Sequence, residues 1–75
     1  MPRPLHLIAL DISQSWPNVS PHAAPYHNAL KSLVSIDDAF YNDDARGIVL
    51  YFLSNAATWR GDDARRIKAE LKALL

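Results

Sequence analysis

A chain of 75 residues with 49% hydrophobic side chains has room for one core and no second lobe, so residues 1–75 are read as one small folded domain. The absence of cysteine excludes a disulfide framework and any thiolate zinc site. Eight Lys+Arg balance eight Asp+Glu, and a net charge of zero argues against general electrostatic binding to nucleic acid.

The first apolar run, Leu5 to Leu10, is too short for a membrane span and lacks the cleavage site of a signal peptide, so no membrane role is expected and the chain reads as cytoplasmic. Leu5, Ile8, Ala9, Ile12 and Trp16 share one stripe at 100° per residue, which predicts a helix over about 5–15. Pro17 and Pro21 punctuate the next stretch, and Pro25 suits a first helical turn. Tyr26, Ala29, Leu30 and Leu33 then predict a second helix over about 25–34.

Ser35-Ile36-Asp37-Asp38 has the form of a capping box and predicts a short helical turn near 36–41. Asn42, Asp43 and Asp44 offer caps for a long third helix over about 43–59, whose face of Ile48, Val49, Phe52, Ala56 and Trp59 marks it as the most buried. Gly47 inside it costs about 1 kcal/mol relative to alanine, which a close helix crossing would explain. Gly61 closes that helix and Asp62 caps a fourth over about 62–74, striped by Ala64, Ile67, Leu71 and Leu74. Asp43-Asp44-Ala45-Arg46-Gly47-Ile48 recurs as Asp62-Asp63-Ala64-Arg65-Arg66-Ile67, one start signal used twice. The expected fold is an all-α bundle of these four helices.

Few residues point to chemistry. Asp11-Ile12-Ser13-Gln14-Ser15 has the D-x-S-x-S form of a magnesium-binding adhesion site, but the helical stripe explains those residues more simply. His6, His22 and His27 lack metal-ligand spacing, and no nucleophile elbow or phosphate loop is present. No catalytic residue, metal or cofactor is therefore expected. Two charged segments remain as partner-binding candidates: the acids Asp37, Asp38, Asp43 and Asp44, and the C-terminal residues Trp59, Arg60, Arg65, Arg66 and Lys72. Residues 60–75 hold five cations against three acids, and the rest of the chain three cations against five acids, so the zero is lopsided. Asp62 with Arg66, and Arg66 with Glu70, are i,i+4 partners that would solvate the last helix. Trp59 with Arg60 reads either as hydrophobic closure of a loop or as an exposed anchor pair.

From Ser35 to Lys72, the strings S-I-D-D, Y-N-D-D-A-R-G-I-V-L-Y-F-L-S-N-A-A-T-W-R-G and A-R-R-I-K-A-E-L-K resemble a group of short uncharacterised proteins carried by bacteria, phages and plasmids. By analogy, that resemblance implies a binder of a host or phage protein complex, of which anti-CRISPR inhibitors are one type. The sequence thus leads to a non-enzymatic protein-binding module, monomeric or homodimeric. The alternative is a small nucleic-acid-binding regulator that uses the basic last helix.

Overall fold

The computed structural model describes residues 3–41 and 43–75, so the cap expected of Asn42 lies outside the described residues. Four helices, α1 (Leu5–Ser15), α2 (Ala24–Leu30), α3 (Ala45–Ser54) and α4 (Asp62–Leu74), enclose one core. A two-stranded antiparallel hairpin, β1 (Ala39–Phe40) and β2 (Asp43–Asp44), precedes α3 and pairs Ala39 with Asp44 and Phe40 with Asp43. The all-α reading is correct.

The stripes of α1 and α4 fold as their spacing dictates: Leu5, Ile8, Ala9 and Ile12 of one, with Ala64, Ile67 and Leu71 of the other, are buried. Proline cannot cap α1 with a side chain, so its first free amides turn to the chain after α2. Leu5 N–H donates to the Val34 carbonyl at 2.8 Å and His6 N–H to that of Leu33 at 2.9 Å. α2 stops at Leu30 rather than near residue 34: the amides of Lys31, Ser32 and Leu33 close tighter i→i−3 turns, and the Val34 amide goes to Asp38 Oδ2 at 2.9 Å instead of to a helical carbonyl. Leu33 nevertheless remains in the core, 2% exposed.

The short helical turn expected near 36–41 is not formed. The capping box does close: Asp38 Oδ2 accepts from Val34 N–H and Ser35 N–H, both at 2.9 Å, and Ser35 Oγ accepts from Asp37 N–H at 3.1 Å. The hairpin comes directly after it, because the Asp38 carbonyl takes the Ala45 amide at 2.8 Å and draws the chain back on itself. Tyr41 turns the loop with φ 57°. Positions 43–44, read as the start of the third helix, are therefore strand.

Asp44 is the N-cap of α3 and accepts from Gly47 N–H at 2.7 Å. This corrects the account of Gly47. A Cβ there would stand 2.9 Å from Asp44 Oδ1, so the close neighbour is the capping carboxylate and not another helix. The repeated start signal also differs in register. Ala45 and Ala64, and Ile48 and Ile67, are equally buried, yet Gly61 at φ 113° occupies the N-cap of α4 and Asp62 is its first helical residue.

α3 ends at Ser54, short of the expected residue 59. Residues 56–59 wind as turns, which carry Trp59 onto Trp16 with the rings parallel within 2° and 5.1 Å apart. Phe52, fully buried, meets both indoles edge-on at 6.4 Å.

Phe52→Ala removes the ring at the centre of this cluster and should cost about 3–5 kcal/mol, a large part of the stability of so small a protein. Gly47→Ala should give no gain, because about 1 kcal/mol of helix propensity is set against the displaced cap. In an Asp44→Ala background the same substitution should raise stability by about 1 kcal/mol. Urea midpoints of the four proteins in that cycle check the sign.

Candidate functional site

Several charged side chains hold the helices together. Arg3 donates Nε to Glu70 Oε2 at 2.8 Å and Nη2 to Glu70 Oε1 at 2.5 Å, and reaches Asp11 at 3.1 Å. Arg66 joins the same carboxylate of Asp11 at 3.1 Å and also meets Asp63 at 3.4 Å. The network ties the segment before α1 to the facing sides of α1 and α4. The Arg66 guanidinium, helped by Arg3, holds the Asp11 carboxyl below its ordinary range, and Arg3 does the same to Glu70. The i,i+4 pairs expected of Arg66 are thus replaced by contacts to α1 and to Asp63, while Arg65 pairs with Asp62 one turn back.

The acidic candidates do not form a free patch. Asp38 caps a turn, Asp44 caps α3, and Asp37 accepts from Arg46 at 3.2 Å. Arg46 also donates to the Leu75 carbonyl at 3.1 Å and so satisfies the C-terminal end of α4. Asp43 alone of the four is exposed with no such contact among the described residues.

Trp59 is 4% exposed and closes the loop, so it is not an exposed anchor. Lys68 holds that loop. Its Nζ donates to the Ala56 and Trp59 carbonyls at 2.7 Å each and lies 5.9 Å from the centre of the Trp59 ring. Burial, with the charges of Lys72 and Arg60, holds its ammonium pKa below the usual lysine value. Lys68 lies outside the residues that the sequence marked as binding candidates.

Beside this clamp lies a hollow of about 400 Å³, lined by Ala57, Gly61 and Ala64 together with Arg60, Arg65 and Lys68. The small residues leave the space and the three cations surround it. Lys72 continues the basic row one turn beyond Lys68. Among the described residues, Arg60, Lys68 and Lys72 have no carboxylate within ion-pair distance, in contrast to Arg3, Arg46 and Arg66.

A second hollow, about 620 Å³, lies between the end of α1 and α2 and contains Ser13 and His27. The two side chains are 3.0 Å apart, a contact that the sequence did not indicate. His27 Nε2 also lies 3.0 Å from the Ala9 carbonyl, which can only accept and also receives the Ser13 hydroxyl at 3.1 Å, a geometry that favours Nε2–H as a donor over Nε2 as a base for Ser13. Burial pushes the His27 pKa below its ordinary value. No group of three or more potential metal ligands occurs among the described residues, and no helix is long and apolar enough to cross a membrane. Comparison with protein-family models, with curated proteins and with solved structures gives no match.

Two titrations should mark the acid side of the stability profile. His27 binds a proton less readily when folded, so stability should begin to fall as the pH drops below its ordinary value of 6.5. Asp11 and Glu70 are held low by arginine, so their contribution should persist above their ordinary values of 3.8 and 4.5 and be lost as the pH falls further. Urea midpoints measured from pH 8 to pH 3 should show both steps, and His27→Gln should abolish the upper one alone. Lys68→Met should free the 56–59 turns and lose about 1–3 kcal/mol, read from the urea midpoint together with weakening of the near-ultraviolet signal of the stacked indoles.

Proposed function

We propose that this chain is a non-enzymatic protein-binding module that docks an acidic segment of a partner protein at the junction of α3 and α4. The observation that carries this reading is the hollow between Arg60, Arg65 and Lys68, where Arg60 and Lys68 have no carboxylate within ion-pair distance among the described residues and Arg65 meets only the exposed Asp62 of its own helix. A carboxylate seated there would relieve the mutual repulsion of Arg60, Lys68 and Lys72. The Ala57, Gly61 and Ala64 lining would accept an apolar side chain next to it.

Of the two charged segments in the sequence, the acidic one is the weaker candidate because three of its four acids already hold turns, a cap or Arg46. The resemblance to proteins of phages and plasmids points to a host protein complex as the first class of partner to test, with inhibition of a defence complex as the role. Contact with nucleic acid is the second reading, favoured by the row Arg65, Lys68 and Lys72 along one face of α4.

Affinity capture from a bacterial lysate, with and without nuclease, separates the two. The native chain should retain a protein that survives nuclease treatment, and Arg60→Glu with Arg65→Glu should release it. Retention of nuclease-sensitive material alone would support the nucleic-acid reading. Equal retention by the charge-reversed variant would remove the basic junction from consideration.

A further inference from the structure

The acidic hairpin and the basic junction lie at opposite ends of the α3–α4 pair. Asp44 caps the start of α3 and Arg46 reaches the last carbonyls of α4, whereas Lys68 binds carbonyls of the turns just beyond α3. The 10 residues of α3 and 13 of α4 rise roughly 15–20 Å, too far for the two ends of one molecule to meet. The hairpin carries Tyr41, 90% exposed, and two exposed acids, Asp43 and the α3 cap Asp44. The junction combines the small residues Ala57, Gly61 and Ala64 and an edge of Trp59 with three cations.

We infer that the occupant of the basic junction includes a second copy of this chain, whose hairpin Ala39–Asp44 docks head to tail with Asp43 against Arg60 and Arg65 and Tyr41 over the small-residue lining. The inference rests on the reading of the junction as a protein-docking surface, and self-association would compete with any outside partner for it. The contact is heterologous. Each copy keeps one hairpin and one junction available, so the association does not stop at a symmetric dimer unless a ring closes. The attraction is between exposed charges, so it weakens as added salt shortens the screening length to about 3 Å at 1 M.

Sedimentation velocity across a concentration series up to the millimolar range tests the arrangement. The native chain should show a weight-average sedimentation coefficient that rises with concentration in about 50 mM salt and falls towards the monomer value in about 1 M salt. Asp43→Lys alone, and Arg60→Glu with Arg65→Glu, should each weaken self-association at least tenfold. Mixing these two variants should restore it, because each supplies the charge that the other now complements. Asp43→Asn and Arg60→Ala, which disturb the surface less, should weaken it in the same direction if a reversed variant fails to fold by circular dichroism. A native chain that stays monomeric throughout, or one that forms a dimer indifferent to Asp43→Lys, would overturn the inference. Loss of self-association with capture of a partner protein intact would leave the docking surface standing and remove only the second copy from it.

Discussion

The parallel contact between Trp16 and Trp59 governs the architecture. Trp16 stands just beyond α1 and Trp59 on the link between α3 and α4, so their stacking joins the first part of the chain to the last across the buried Phe52 ring. A chain of this length buries little area in total, and large aromatic rings supply much of it from few positions. α3 must end early for Trp59 to turn inward. The Asn55 side chain bonds back to the Tyr51 carbonyl at 2.8 Å, and Lys68 supplies a donor to the Ala56 and Trp59 carbonyls that the break in the helix frees.

The same requirement separates two kinds of charge. Arg3, Asp11, Arg66 and Glu70 hold α4 against α1, and their partners come from distant parts of the chain. Removing one member would leave charges facing one another, so these residues are poorly placed to exchange partners during binding. Among the described residues, Arg60 and Lys72 pair with no carboxylate. Lys68 stands between the groups: its ammonium braces the loop, and its charge still contributes to the field at the junction. Binding at that site would therefore be coupled to the turn that seats Trp59.

The sequence disclosed elements whose cause is local and missed those settled at a distance. α1 and the last helix could be placed because five or four apolar residues recur at helical spacing. The box at Ser35 and Asp38 was legible as a set of hydrogen bonds, but those bonds close a turn equally well before a helix or a hairpin, and the choice came from the Asp38 carbonyl meeting Ala45. Arg3 and Glu70 are 67 positions apart and no spacing rule pairs them. At the candidate site, Arg60, Arg65 and Lys72 were visible as a basic run. Only the fold shows that Arg66 is committed elsewhere, that Trp59 faces inward, and that Lys68 lines the hollow.

The positive end of the α4 dipole lies beside Arg60, a placement that raises the cost of concentrating cations there. Asp62 and Asp63 in the first turn offset that cost, and each is held by an arginine of the next turn. These acids stabilise the helix start, and Arg65 and Arg66 restrain them within it. Arg60 is left outside these pairs, at the mouth of the hollow. At the other end, Asp44 occupies the α3 dipole and Asp43 is left over in the same way. The zero net charge of the chain thus contains a largely neutralised framework and two ends of opposite sign, and the local field is set by those ends rather than by the total.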